Sequence, residues 1–205
     1  MYWNTIIVSW YRERCEMPAT EEEIAAKFME LAFRYGYRRT SVEDVARALR
    51  ISKKTIYEYF PSKQALLEHA LELSALGQRR RVESMLTEVT ALGRALQVVS
   101  IALADVRSFY LSSPHEEMVE PPELTAQVNA RVFGPMVREL LAQGNAAGEL
   151  DVPDVDTTAA FVMAVGMEAV RMIREDPSSR PEEATLEAIR RLLAGGRTPA
   201  QTGRS

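Results

Sequence analysis

The sequence predicts an all-α protein with a small N-terminal unit of three short helices followed by a larger helical bundle. Apolar residues recur with the helical period along most of the chain. Hydroxyl and acidic residues precede these stretches at the positions of helix N-caps. Neither the two-residue alternation of a half-buried strand nor an internal repeat is visible.

The composition indicates a folded protein of the cytoplasm. Hydrophobic residues make up 46% of the 205 residues, which is enough for a packed core. Cys15 is the only cysteine, so an internal disulfide framework is excluded and a reducing compartment is expected. No stretch approaches the roughly 20 apolar residues of a membrane span, and the N-terminus lacks the basic region and cleavage site of a signal peptide. We therefore expect a cytoplasmic protein with no membrane partner.

Charge is distributed unevenly along the chain. The formal net charge is −4, but eight basic and only three acidic residues lie between Arg34 and Lys63. This segment therefore has a formal charge of +5, and the remainder has −9. Such an asymmetry is typical of a basic contact surface on an acidic body.

Residues 1–17 are predicted to be an extension that stands apart from the folded units. Two tryptophans, two tyrosines and the run Ile6-Ile7-Val8 occur there without a helical or strand period. Two interpretations are open: an ordered native extension, or translation that starts at Met17. The abrupt change of composition at Pro18 favours the second.

Residues 18–78 are predicted to form the three-helix unit, and its first helix starts at Thr20. Thr20 and Glu23 have the spacing of a capping box, and Gly36 is predicted to end the helix as a left-handed cap. One helical face is apolar and consists of Ile24, Phe28, Leu31, Ala32 and Tyr35. We expect this face to pack in a core.

Two further short helices are joined by a tight turn, which is the pattern of a helix-turn-helix. Thr40 and Glu43 form a predicted capping box for the second helix, and Ser52 caps a third helix that extends to about Tyr59. The small Ala46 lets the two helices approach each other. The apolar positions, for which packing is favoured, are Val45, Ala46, Leu49, Ile51, Ile56, Tyr59 and Phe60.

The first turn of the third helix is suited to contact DNA. A helix fits the major groove with its N-terminal residues facing the base edges, where lysine suits guanine or a phosphate. Helix N-termini near Thr40 and Lys63 are expected to add phosphate contacts. The four residues of the first turn all carry hydrogen-bonding side chains, and two are cationic: Ser52, Lys53, Lys54 and Thr55.

Residues 20–70 resemble the DNA-binding domain of the TetR family of transcriptional regulators. The most specific match is Ser52-Lys-Lys-Thr-Ile-Tyr-Glu-Tyr-Phe-Pro-Ser-Lys63, and Ile24-Ala-Ala-Lys-Phe28, Gly36-Tyr37, Thr40-Ser41 and Asp44-Val45-Ala46 also match. The resemblance implies a dimer that places one third helix in each major groove of a palindromic operator and leaves it when a small effector binds. It assigns DNA contacts to Thr40, Ser52, Lys53, Lys54, Thr55, Tyr57 and Lys63, to which we add Arg50 and Tyr59.

Two positions depart from the family pattern. Arg50 stands where glycine is common, at an expected positive φ, which costs about 1 kcal/mol. Lys54 replaces a frequent glycine at the base-facing edge, which makes the operator sequence harder to predict.

Residues 79–195 are predicted to form a helical bundle for dimerisation and ligand binding, followed by a disordered tail over residues 196–205. After a helix that begins at Lys63, helices are predicted over about 92–111, 124–145, 155–174 and 182–194. The segment from Gly148 to Asp156 is similar to the one that leads into the family's dimer helices. The predicted two-fold interface consists of Ala159, Val162, Gly166, Ala169, Leu186, Ile189 and Leu193.

An effector pocket is predicted within the same bundle. A methionine-rich lining suits adaptable, apolar binding, so we expect an apolar or amphipathic small-molecule effector. For any single lining residue, an ordinary core position is the more frequent role. The candidates are Phe109, Tyr110, Met118, Phe133, Met136, Met163 and Met167.

An enzyme is not expected, and neither is a metal or cofactor. His69 and His115 are the only histidines, and neither has a partner at a recognised metal or triad spacing. We interpret the sequence as a dimeric DNA-binding regulator, most simply a repressor. The alternative is a helix-turn-helix fold kept for protein–protein contact, with no operator.

Overall fold

A computed structural model describes residues 19–112 and 122–194 of the chain. These residues form eight α-helices and no strand, which confirms the all-α prediction. Each helix lies within a few residues of its predicted bounds. The helices are α1 Glu21–Tyr35, α2 Val42–Leu49, α3 Lys53–Tyr59, α4 Lys63–Met85, α5 Ala91–Ser112, α6 Pro122–Ala146, α7 Val155–Glu175 and α8 Glu182–Ala194. The predicted extension and tail lie outside the described residues.

The described helices divide into two compact units. The first contains α1 to α3, α4 as far as Gly77, and the opening turns of α6 as far as Asn129. The second begins at Gln78 and contains the end of α4, α5, the rest of α6, α7 and α8.

The core of the first unit is built from the apolar stripes that the sequence displays. Ile24 and Phe28 of α1, Val45 of α2, Ile56 of α3 and Leu66 of α4 are fully buried. Burial of such side chains stabilises the fold by roughly 1.5–3 kcal/mol each. Since one stripe comes from each helix, this core fixes how α3 crosses α2.

The ends of α1 follow the predicted capping with one correction. Thr20 accepts a hydrogen bond from the Glu23 N–H, and the Glu23 carboxylate accepts one from the Thr20 N–H, so the capping box is confirmed. Gly36 ends α1 with φ 89° and ψ 142°. The positive φ agrees with the prediction, but the ψ is extended, so the left-handed cap predicted there is wrong. This region of φ and ψ is open essentially to glycine alone.

The second unit is a bundle of α5, α6, α7 and α8 around one apolar core. The buried side chains include Leu103 of α5, Leu141 of α6, Ile173 of α7 and Ile189 of α8. Gly144 of α6 lies so close to α5 that an added Cβ would stand 2.8 Å from the Ala91 Cβ and 2.6 Å from the Leu150 Cδ1. The tight contact explains why glycine suits that helical position.

This core contradicts most of the predicted dimer interface. Leu186 packs against it, and Gly166 is half-buried on α7. Small and branched apolar residues at the helical period indicate a buried face, but they do not tell packing within one subunit from packing between two. The predicted interface residues that are buried within the subunit are Ala159, Val162, Ala169, Ile189 and Leu193.

Candidate nucleic-acid interface

The turn between α2 and α3 is a complete Schellman motif. The Ile51 N–H donates to the Ala46 carbonyl over 3.0 Å, and the Arg50 N–H donates to the Arg47 carbonyl over 3.3 Å. Arg50 occupies the left-handed position of this motif, with φ 57° and ψ 35°. It is the non-glycine residue with a positive φ in the described part of the chain. The strained position inferred from the sequence is therefore present, and the Arg50 side chain is exposed beside α3.

The first turn of α3 presents the predicted polar side chains to solvent. Ser52 caps the helix by accepting from the Thr55 N–H over 3.0 Å, as predicted. The Ser52 and Thr55 hydroxyls also lie 2.8 Å apart, within hydrogen-bonding distance. Both hydroxyls are accessible, so they retain free lone pairs for further partners.

The two lysines of this turn each lie beside a carboxylate. Lys53 forms an ion pair with Glu43 of α2, and its Nζ lies 6.0 Å from the centroid of the Tyr57 ring. Lys54 lies 3.8 Å from Glu58 one helical turn later, and its side chain is 86% exposed. Ion pairs between exposed groups contribute only about 0–1 kcal/mol. Both lysines can therefore exchange their partner for a phosphate or a base edge at small cost.

The tyrosines of α3 face solvent. Tyr57 is 45% exposed and Tyr59 is 41% exposed. The packing role favoured for Tyr59 is therefore wrong, whereas Phe60 is buried as expected. Tyr59 lies at the last turn of α3, and its ring is tilted against that of the buried Phe60, with centroids 6.4 Å apart.

Thr40 lies in the protein interior and does not cap α2. It is 2% exposed, and its hydroxyl donates to the Gly36 carbonyl over 2.9 Å. Ser41 caps α2 in its place and forms the capping box with Asp44, so the predicted Thr40–Glu43 box is wrong. Hydrogen bonds from the hydroxyl and the N–H of Ser41, and the nearby Arg47, hold the pKa of Asp44 below its usual range. Because its hydroxyl is already committed and buried, Thr40 supports the loop before α2.

Lys63 supports the same loop. Its Nζ donates to the Tyr37 carbonyl over 2.6 Å and lies 4.3 Å from the centroid of the Tyr37 ring. Partial burial lowers the pKa of the Lys63 ammonium. The N-terminus of α4 is capped by Ser62, whose hydroxyl accepts a hydrogen bond from the Ala65 N–H over 3.0 Å. The Lys63 side chain takes no part in that cap.

Several functional candidates were not singled out from the sequence. Arg38 and Arg39 are exposed on the loop that Thr40 and Lys63 hold, and only their contribution to the charge count pointed to them. The sequence indicates only a capping role for Glu43, because an ion pair between residues ten apart across a turn has no periodic signal. Glu58 was detectable, because it stands four residues after Lys54.

One residue of the predicted effector pocket lines a groove of the second unit. The second unit contains a groove of about 500 Å³ between the end of α4, the start of α5 and α6, and Met136 belongs to its lining. Phe133 is buried, Met163 packs against the core, and Met167 is half-buried. The rings of Phe109 and Tyr110 meet edge to face, with centroids 5.2 Å apart. Met118 lies outside the described residues.

Charged groups line this groove beside apolar ones, contrary to the apolar lining expected. The apolar members are Leu86, Val89, Met136 and Leu140, and the charged members are Arg79, Glu83, Glu88, Arg94 and Glu139. The groove opens at the surface, so polar residues of the α4–α5 connection and of α6 contribute to its lining. The spacing of methionines in the sequence does not indicate such a lining.

The described residues contain neither a metal site nor a membrane-spanning helix. Across residues 19–112 and 122–194, no three His, Cys, Asp or Glu side chains are placed to hold a metal ion. No helix in these ranges is long and apolar enough to cross a bilayer.

Comparison with known proteins identifies the first unit. Residues 24–70 match the family model of bacterial regulatory proteins of the tetR family. A curated relative is the uncharacterized HTH-type transcriptional regulator YuxN of Bacillus subtilis (strain 168), which is 43% identical over 51 residues. That match covers 25% of this chain and 18% of the relative's length.

Solved structures resemble the fold over most of the chain's length. The RolR structure without ligand covers 83% of this chain and 89% of its own, with a TM-score of 0.66 and 17% identity. RolR in complex with resorcinol covers 84% and 86%, with a TM-score of 0.64 and 17% identity. FadR from Bacillus subtilis in complex with stearoyl-CoA covers 85% and 97%, with a TM-score of 0.60 and 18% identity. At sequence identities this low, the structural similarity shows a shared fold and nothing more.

The helix-turn-helix geometry, the family match over its residues and the all-helical fold agree with one another. Residues 24–70 therefore belong to the tetR family of bacterial regulatory proteins, and the helical fold of the described residues is consistent with that match.

Proposed function

We propose that this protein is a dimeric, ligand-responsive repressor that binds a palindromic operator and is released from it by a small molecule. The observation that carries the proposal is the first turn of α3. There, buried anchors below the helix leave Ser52, Lys53 and Lys54 exposed and Thr55 partly exposed.

The geometry supports a division of roles among the candidate DNA contacts. Base edges are read by the first turn of α3, while Arg50, Tyr57 and Tyr59 are exposed and reach the DNA backbone. Thr40 and Lys63 act indirectly, since both hold the loop that carries Arg38.

A second copy of the chain is the proposed partner at α7 and α8. Phe161 and Met172 are 54% and 40% exposed and lie three helical turns apart on one face of α7, and Leu192 of α8 is 39% exposed. Exposed large apolar side chains on paired helices suit a two-fold, self-complementary contact. This face replaces the interface predicted from the sequence, whose residues lie mostly in the core.

The proposed effector is a small amphipathic molecule. Two proteins of the same fold have been crystallised with resorcinol and with stearoyl-CoA, respectively. In this chain the groove of about 500 Å³ combines four apolar with five charged lining residues. Such a lining favours a ligand with both a polar and an apolar part. Its binding would lower operator affinity through a coupling of typically 1–3 kcal/mol.

The test is selection of bound fragments from genomic DNA, followed by affinity measurements on the recovered duplex. Lys53→Ala and Tyr57→Ala are expected to weaken binding, because they remove a base or phosphate contact worth about 1–3 kcal/mol. Lys27→Ala is the matched control, since it removes one cation from α1, where Lys27 pairs with Glu30.

Binding of the wild type should also weaken as salt rises, with a slope of about −0.9 per phosphate contact. Recovery of no preferred fragment, or equal affinities for all three variants and the wild type, would contradict the proposal. A helix-turn-helix used for protein contact would give that result.

A further inference from the structure

We infer that Glu43 is a specificity-determining residue: its carboxylate holds the Lys53 ammonium and so limits sequence-independent attraction to DNA. The inference rests on the proposed function, because it concerns how strongly the α3 surface binds DNA that is not the operator. Glu43 belongs to α2 and is not in the first turn of α3, so it is separate from the proposed readers.

The pairing of charges in this segment is the first observation. All three acidic residues between Arg34 and Lys63 lie beside a cation. Asp44 lies 3.1 Å from Arg47, Glu58 lies 3.8 Å from Lys54, and Glu43 contacts Lys53. Three of the eight basic side chains are therefore partly neutralised, and the formal charge of +5 overstates the attraction that a phosphate backbone experiences.

The Glu43–Lys53 pair differs from the other two in its geometry. Asp44–Arg47 and Glu58–Lys54 each lie within a single helix, whereas Glu43 joins α2 to the first turn of α3. Lys53 is also confined by the Tyr57 ring, and about half of its side chain is exposed. Its ammonium is therefore directed toward the start of α2, beside a negative charge that repels phosphate.

The weakness of the Glu43–Lys53 pair matters for discrimination between the operator and unrelated DNA. A pair between exposed groups is weak, so a base edge that hydrogen-bonds Lys53 can replace the carboxylate at the operator. At unrelated DNA the partner of Lys53 is a phosphate, whose full negative charge is repelled by Glu43 more strongly than a neutral base edge is. Repulsive groups that weaken the wrong complex more than the right one raise specificity. Glu43 meets this description.

The test measures two affinities for each of several full-length variants. The probes are a 24-base-pair duplex of unrelated sequence, about two helical turns long, and the duplex recovered by genomic selection. Glu43→Gln should tighten binding to the unrelated duplex by up to about five-fold. Its salt slope should steepen by about 0.9, for one additional phosphate contact. Operator affinity should change less, so the ratio of the two affinities should fall.

Glu21→Gln is the matched control, because it removes the same charge from the first turn of α1 in the same unit. A Lys53→Ala background provides the second control. There, Glu43→Gln should have no more effect than Glu21→Gln, since the lysine that the carboxylate restrains is absent. Thermal unfolding of each variant would show that the fold is retained.

Two outcomes would overturn the inference. In one, Glu43→Gln and Glu21→Gln change the affinity for the unrelated duplex equally, so that only net charge matters. In the other, Glu43→Gln acts as strongly without Lys53 as with it. Both leave the proposed function intact as long as the wild type selects an operator. A wild type that selects no duplex refutes the proposed function and this inference with it.

Discussion

Replacing Arg50 with glycine should stabilise the protein, although the substitution removes a side chain. Arg50 sits at φ 57° and ψ 35° in the Schellman motif that ends α2. An L-residue in the left-handed region carries a strain of about 1–2 kcal/mol, because its Cβ crowds the following carbonyl. Glycine avoids this strain but loses about 0.5–1 kcal/mol through the greater freedom of its unfolded chain.

The net gain in free energy of unfolding is therefore about 0.5–1 kcal/mol. For a chain of 205 residues, this corresponds to a rise in Tm of about 1–4 °C. Arg50→Ala is the matched control, because it removes the guanidinium and keeps the Cβ. It should give no comparable rise.

Thermal unfolding followed by circular dichroism measures the difference between the two variants. A Tm for Arg50→Gly that is no higher than that for Arg50→Ala would refute the argument from backbone strain. Operator affinity tests the role of the Arg50 charge independently of backbone strain, since both variants lose the same charge. If Arg50 contacts a phosphate, both should reduce the salt slope by about 0.9, and the glycine variant should be more stable yet bind less tightly.

Three further predictions concern packing, assembly and pH. Gly144→Ala should lower the free energy of unfolding by roughly 1–3 kcal/mol in urea denaturation, because the new Cβ would clash with α5. Gly77→Ala is the control: Gly77 has open space around it, so the substitution should raise the free energy of unfolding by up to about 1 kcal/mol. Phe161→Asp should convert the proposed dimer to a monomer in sedimentation equilibrium while helicity is retained, and a monomeric wild type would contradict the proposed face. Stability should fall below about pH 4, because the pKa of Asp44 is depressed in the folded state. The ionised carboxylate contributes fully to stability above the unfolded pKa of about 3.9, and this contribution disappears as Asp44 is protonated. Asp44→Asn should weaken the pH dependence in thermal melts recorded from about pH 6 to 3, and an unchanged profile would exclude Asp44 as its source.

The helices of the first unit were predictable because their signals are local. A helix end leaves backbone N–H groups without partners, so a hydroxyl and an acid three residues later indicate a start. The start of α2 shows the limit of this reasoning. Thr40 and Ser41 are both hydroxyl residues, and each has an acid three positions later. Burial of Thr40 against Gly36 decides between these overlapping capping boxes, and that contact belongs to the tertiary structure.

The sequence by itself determined the helical class, the helix-turn-helix and the polar first turn of α3. Periodicity, caps and a family-specific string are all encoded within a few residues of one another. Only the tertiary structure decided that Glu43 lies on Lys53, that Lys63 holds the Tyr37 carbonyl, and which faces of α7 and α8 remain exposed. Each of these depends on how separate helices pack, and an apolar stripe or a charged residue does not specify its partner.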